Sequence, residues 1–184
     1  STNLGPNIAV ADINNDSLED VFISGGKGQA SKIFLQNKEG TFKAAQESIF
    51  KKHSINEDVA AIFFNANNDD FIDLLVVSGG NEFRKGSPLQ PRLYLNNNGA
   101  FKEDKVQFKD KELNASKVKA VDIDNDGDTD IVITSNLIPW QFGKTPQQYI
   151  FQNDGTGNFT DVTLKFGSDF QNIGNVQDIV WLDL

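Results

Sequence analysis

The chain of 184 residues contains no cysteine and no methionine, and it has one histidine, His53. Without cysteine it can form neither a disulfide framework nor a thiolate site. No apolar run approaches the roughly 18 to 20 residues that span a bilayer, so we expect no membrane insertion. The chain has neither an initiator methionine nor an apolar signal segment, so we expect that it was processed, trimmed or cut from a longer protein, and its abrupt end at Asp183 and Leu184 favours the last.

Basic residues are also few. Lysine and arginine total 17 against 26 aspartates and glutamates, which gives a formal net charge of −9 and a pI near 4.5. Nucleic acids and anionic membranes require a basic surface, so we expect neither as a partner. With 38% hydrophobic and 23% charged residues, the composition is typical of a globular domain, and the length suits one domain.

Motifs for catalysis are lacking as well. The single histidine is not accompanied by a G-x-S-x-G elbow. The segment from Gly143 to Thr145 is similar to the end of a phosphate-binding loop, but Ile138 stands where that motif needs a glycine. We therefore expect the chain not to be an enzyme.

Three segments carry oxygen-bearing side chains at one and the same spacing. They are Asp12-x-Asn14-x-Asp16-x-x-x-Asp20 (the first loop), Asn65-x-Asn67-x-Asp69-x-x-x-Asp73 (the second loop) and Asp122-x-Asp124-x-Asp126-x-x-x-Asp130 (the third loop). Ca²⁺ takes 6 to 8 oxygen ligands, and a nine-residue turn can present side chains from positions one, three, five and nine and a backbone carbonyl from position seven. The predicted Ca²⁺ ligands are Asp12, Asn14, Asp16, Leu18, Asp20, Asn65, Asn67, Asp69, Phe71, Asp73, Asp122, Asp124, Asp126, Asp128 and Asp130.

The acidic spacing of these loops is also compatible with two other kinds of structure. An EF-hand needs a glutamate at position twelve, but Ile23, Val76 and Ile133 stand there, so the EF-hand is excluded. An ordinary polar turn stays open as an alternative, most of all for the second loop. That loop has the fewest acidic ligands and the third loop has the most, so we expect occupancy to fall from the third loop to the first and then the second.

Apolar strands surround each loop in a repeated order. One strand precedes the loop, a second follows it, and a third ends in a turn after which a phenylalanine (Phe42, Phe101 or Phe159) opens a fourth. Four short strands at a period of roughly 50 residues are typical of a β-propeller blade. The predicted fold is therefore all-β, a propeller segment of three four-stranded antiparallel blades at residues 7–57, 58–117 and 118–175, with the first strand of a fourth at 176–184. In that fourth unit we expect a strand from Ile179 to Leu182, followed by Asp183 as the first loop ligand.

The segments from Val121 to Ile131 and from Asn153 to Phe159 closely resemble FG-GAP or VCBS repeats, the blades of integrin α-subunit heads and of many bacterial extracellular proteins. The resemblance implies a location that is extracellular, on the cell surface or periplasmic. It also implies a non-enzymatic, calcium-stabilised interaction module that binds protein or carbohydrate ligands. The alternative is an accessory propeller domain of a larger extracellular enzyme.

The order of strands predicts where a partner would bind. In an antiparallel blade, the loops between second and third strands lie on the face opposite the acidic loops, and binding commonly resides in such loops. The candidate ligand-binding residues on that face are Trp140, Phe142, Phe83 and Arg84. The alternative is that Trp140 and Phe142 cap the interior of the propeller or pack on the next blade. Because three blades cannot close a ring, a homodimer that supplies six blades is a further possible assembly.

Overall fold

A computed structural model describes residues 6–181. Two helices of about one turn, α1 (Glu47–Lys51) and α2 (Ser168–Gln171), and two 3-10 turns (Ser87–Leu89 and Thr163–Phe166) lie between or after the strands. None of the helices in this part of the chain has the length and apolar character to cross a membrane. The strands are β1 (Ile8–Ala11), β2 (Asp20–Ile23), β3 (Lys32–Gln36), β4 (Phe42–Ala45), β5 (Asp58–Phe64), β6 (Asp73–Ser78), β7 (Arg92–Asn97), β8 (Ala100–Glu103), β9 (Lys117–Val121), β10 (Asp130–Thr134), β11 (Tyr149–Asn153) and β12 (Phe159–Asp161).

The strands form three separate four-stranded sheets, and in each sheet the strands lie in chain order and pair antiparallel. The first sheet contains β1 to β4, the second β5 to β8, and the third β9 to β12. Each acidic loop connects the first strand of a sheet to the second. The prediction of three four-stranded antiparallel blades is confirmed.

The sheets are arranged with their first strands side by side. β1 lies against β5, and β5 lies against β9. This places the first strand of every sheet innermost and the fourth strand outermost, as in the blades of a propeller. The described residues do not close into a ring.

Two apolar clusters fill the spaces between neighbouring sheets. Phe22 and Tyr94 are both fully buried in the cluster between the first and second sheets. Phe50 of α1 is inserted there, with its ring centroid 5.6 Å from that of Phe22 and 5.2 Å from that of Tyr94. Phe108, from the segment after β8, packs edge-on against Phe151 in the next cluster. Each blade interface is therefore completed by an aromatic ring from the chain that links two sheets.

The two ends of this arrangement differ. The face of the first sheet that points away from the second exposes Ile8, Val10 and Phe42. On the third sheet, Val132 and Ile150 are buried, with Ile179 packed against their cluster. Residues 176–181 form no strand. The end of the strand predicted from Ile179 to Leu182, and the ligand predicted at Asp183, lie outside the described residues.

Candidate functional site

The last aspartate of each acidic loop is buried, unlike the other acidic residues of the loops. Asp20, Asp73 and Asp130 are all fully buried, and each opens the second strand of its sheet. In every loop, one carboxylate oxygen accepts the backbone N–H of position two at 2.9 to 3.2 Å. The other oxygen accepts a backbone N–H near the end of the third strand at 2.8 Å. Position nine therefore joins its own loop to the middle of the sheet, a role that the spacing of oxygens did not reveal.

Burial also affects the protonation of these carboxyl groups. Loss of hydration raises the pKa of Asp73 to about 6, although backbone N–H groups of Asn96 and Ala66 act in the opposite direction. For the same reason, the pKa values of Asp20 and Asp130 are raised above the ordinary value. Acidic neighbours in the first and third loops add to the rise. A cation close to these groups would offset the cost of burying their charge.

The first residue of the loop closes the turn in two different ways. The carboxylate of Asp12 accepts the N–H groups of positions five and six at 3.1 and 2.7 Å. Asp122 does the same in the third loop, at 3.2 and 3.0 Å. In the second loop, Asn65 instead donates its amide to the carbonyl of Asp69. The second loop therefore lacks the negative charge and the geometry that position one has in the other two.

Position four of each loop is an asparagine in the left-handed region of backbone space. The φ angles are 56° at Asn15, 56° at Asn68 and 60° at Asn125. Asparagine is among the few residues other than glycine that adopt this conformation readily. Gly127, at position six of the third loop, also lies in this region, with a φ of 93°. The asparagine at position four was missed, although its presence in all three loops was a visible signal.

Position five orients the residue that would supply a backbone carbonyl. Oδ1 of the position-five aspartate accepts the N–H of position seven, which is Leu18, Phe71 or Asp128, at 2.8 to 2.9 Å. In the first two loops the position-three amide of Asn14 or Asn67 also donates to this aspartate, at 3.1 and 2.9 Å. In these two loops, some of the carboxylate oxygens are therefore already hydrogen-bonded within the loop.

The third loop has an aspartate at position three and cannot make that internal bond. Gln152 donates to the carboxylate of Asp124 instead. One oxygen each from Asp122, Asp124 and Asp130 lie within 4.8 Å of one another. It is the only such acidic cluster among residues 6–181. Three converging carboxylates fit a hard cation such as Ca²⁺, so the third loop could hold a metal ion.

On the opposite face, Trp140 lies in the loop between β10 and β11. Its side chain is 67% exposed, and its backbone φ is 60°, which is a strained value for a bulky residue. Two hydrogen bonds hold it to the neighbouring blade: its backbone N–H donates to Asn81 Oδ1 at 3.0 Å, and its indole Nε1–H donates to the Asn81 carbonyl at 2.7 Å. Arg84 lies over the indole ring, 5.8 Å from its centroid.

Trp140 borders a cavity of about 580 Å³, here called the Trp140 cavity. Its wall includes Asn81, Gln141, Phe142 and Lys144, and the Phe142 side chain is fully exposed. Phe142 is therefore on the surface, and Trp140 is largely exposed but bonded to the neighbouring blade, as the alternative of packing on the next blade predicts. Neither Arg84 nor Phe83 borders this cavity. Arg84 contacts the Trp140 indole from outside the cavity, and the Phe83 ring has Lys27 Nζ 5.4 Å from its centroid.

Comparisons with known proteins identify a family and a similar fold. A model of the FG-GAP-like repeat matches residues 12–76 and again residues 65–133. Among solved structures, a lectin from Agrocybe aegerita has a similar fold to this chain. That lectin is described as recognising non-reducing terminal N-acetylglucosamine. The TM-score is 0.53 at 20% identity, over 95% of this chain and 42% of the lectin chain, so the likeness concerns the fold alone. No curated protein sequence matches. The chain belongs to the FG-GAP-like repeat family.

Proposed function

We propose that this chain is a glycan-binding module whose acidic loops bind calcium for stability. The single observation that carries the glycan assignment is the exposure of Trp140 beside a cavity on the loop face. The ring of Trp140 is exposed, its backbone is strained, and two hydrogen bonds hold the residue in place. Backbone strain of this kind is concentrated at functional sites, which favours a binding role for the ring. A lectin of similar fold adds support for a saccharide as the ligand.

The chemistry of the cavity suits a sugar. The negative face of an aromatic ring attracts the C–H groups on the apolar side of a saccharide, much as it attracts the edge of another ring. Asn81, Gln141 and Lys144 line the same cavity as Trp140, and their amide and ammonium groups can bond to hydroxyl groups. The volume of about 580 Å³ is within the usual range for small-molecule sites.

Replacing Trp140 by alanine is expected to weaken glycan binding at least about tenfold, because loss of an aromatic anchor typically costs more than about 1.4 kcal/mol. The fold should be retained, since the side chain is largely exposed. A glycan array would first identify the ligand, and calorimetry would then measure the affinity. Trp181→Ala is the matched control, because Trp181 is likewise exposed, at 52%, and does not border the cavity.

Binding that is unchanged in Trp140→Ala would contradict the assignment of the cavity. The complete absence of glycan binding in the wild-type chain would favour the alternatives: a protein ligand, or an accessory role beside a catalytic domain elsewhere in a larger enzyme. The proposed setting is outside the cytoplasm, because calcium modules there bind with a Kd of about 0.1 to 1 mM and need a calcium-rich medium.

For calcium we propose a structural role. Several carboxylates close together repel one another, and a cation between them turns the repulsion into a link between first and second strands. The proposed ligands are the acidic and amide side chains at positions one, three, five and nine, and the carbonyls of Leu18, Phe71 and Asp128. Support is strongest for the third loop, where three carboxylates already converge.

Calcium at about 10 mM is expected to stabilise the wild-type chain by about 1.4 to 2.7 kcal/mol per occupied loop relative to a chelator, which corresponds to 10- to 100-fold saturation. Asp124→Asn should remove most of the contribution of the third loop, because it deletes a converging charge without deleting any backbone hydrogen bond in the loop. Asp69→Asn, in the second loop, should remove a smaller part of the calcium stabilisation, because that loop has fewer acidic ligands than the third. Urea denaturation with and without calcium measures each difference, and equal losses in the two variants would contradict the ranking.

A further inference from the structure

Consecutive acidic loops are connected to each other across the blade boundaries. The side-chain amide of Asn15, at position four of the first loop, donates to the carbonyl of Asp70 in the second loop at 3.1 Å. The amide of Asn68, at the same position of the second loop, donates to Asp128 Oδ1 in the third loop at 2.6 Å. The left-handed backbone at position four therefore directs this amide toward the next loop along the chain.

A second asparagine connects the same loops from the sheet. Asn153, at the end of β11, is 3% exposed, and its amide donates to the carbonyls of Ala66 in the second loop and Thr129 in the third, at 2.8 and 3.2 Å. Its backbone N–H bonds to Asp130 Oδ1. Asn96 makes the corresponding bonds to the first and second loops, at 2.7 and 2.9 Å. Each pair of neighbouring loops thus shares one buried amide and one exposed amide.

We propose that Asn68 is a positioning residue for the third loop, and that through it cation binding in the second and third loops is coupled. This inference rests on the calcium binding proposed above. Asn68 stands next to Asp69 and is bonded to Asp128, whose carbonyl is a proposed ligand in the third loop. An ion in one loop orders that loop's end of this hydrogen bond, and the bond restrains the loop at its other end, so a second ion meets a loop that is already partly ordered. By reciprocity the coupling acts in both directions.

The coupling assigns the second loop a role that its small number of charged ligands does not suggest. It has the fewest charges and a different closure at Asn65, yet it contacts both other loops through Asn15 and Asn68. On this view the second loop acts mainly as a bridge, and the third loop holds its ion most tightly when the bridge is intact.

The test measures the Kd of the third loop by calcium titration of the intact chain, followed at the amide resonance of Gly127. Asn68→Gly keeps the left-handed backbone, which glycine adopts freely, and removes only the amide. The expected result is a Kd about fivefold higher, at the low end of typical coupling factors. Asn125→Gly makes the same backbone change within the third loop, and Asn125 makes no side-chain hydrogen bond to another residue in the described part of the chain. We expect it to leave the Kd nearly unchanged.

Coupling is tested by adding Asp69→Asn, which weakens the second loop. It should raise the Kd of the third loop about fivefold in the wild-type background and not at all beside Asn68→Gly. A third-loop Kd that is equal in the wild type and Asn68→Gly overturns the inference, as does an undiminished effect of Asp69→Asn beside Asn68→Gly. A Gly127 resonance that does not respond to calcium in the wild type overturns the proposed calcium site itself.

Discussion

Replacing Asp73 by alanine is expected to destabilise the chain by about 2 to 6 kcal/mol, whether or not calcium is present. Its carboxylate accepts the backbone N–H groups of Ala66 and Asn96, and both groups are buried. Each buried donor that loses its partner costs about 1 to 3 kcal/mol. Urea denaturation in the presence of a chelator isolates this effect from any loss of metal binding.

Asp73→Asn is the matched control for that measurement. The asparagine keeps one acceptor oxygen in place of two, so it should lose about half as much stability. Asp69→Ala provides a comparison within the same loop, because the Asp69 carboxylate is exposed and bonds only within its turn. A loss at Asp73 that appears only when calcium is added would show that the residue acts as a ligand and not as a link between loop and sheet.

Arg92→Met is expected to cost about 3 to 5 kcal/mol, the usual range when one partner of a buried ion pair is removed. Arg92 and Asp58 have side chains only 5% and 4% exposed, and they are paired with each other. Asp58 also accepts hydrogen bonds from Ser31 in the first sheet's β2–β3 loop at 2.6 Å and from Ser78 at 2.8 Å. The pair therefore stabilises the junction between the first and second blades.

Thermal or urea denaturation of the double variant tests the reason for that loss. If the cost comes from leaving the Asp58 charge buried without a counter-charge, then Asp58→Asn in the Arg92→Met background should recover part of the stability. A double variant that is as unstable as the sum of the two single variants would indicate that the pair contributes no coupling.

Much of the fold could be predicted from short-range patterns. The strands follow from apolar segments, and the reversals between them follow from aspartate and asparagine, which favour turns. In each of the three sheets the acidic loop lies between the first and second strands, and the fourth strand begins at or next to the predicted phenylalanine. The third loop was ranked first from its charges, and it is the loop whose carboxylates converge among the described residues. The acidic spacing predicted Asp20 and Asp130 only as ligands. It did not predict that their carboxylates accept hydrogen bonds from backbone N–H groups of the loop and the third strand.

Contacts between repeats could not be predicted in the same way. The exposure of Trp140 depends on Asn81, which is 59 residues away in another blade. The insertion of Phe50 and Phe108 between sheets likewise depends on how the linking segments turn back across the sheet edges.

The sequence by itself determined the repeat, the strands and the acidic loops, because each of these depends on residues that are neighbours along the chain. Only the tertiary structure decided which loops contact one another, which amides bridge them and which aromatic side chains stay on the surface. Those outcomes depend on the packing of separate blades, because the partners in these hydrogen bonds are 55 to 87 positions apart and neighbouring residues do not identify them.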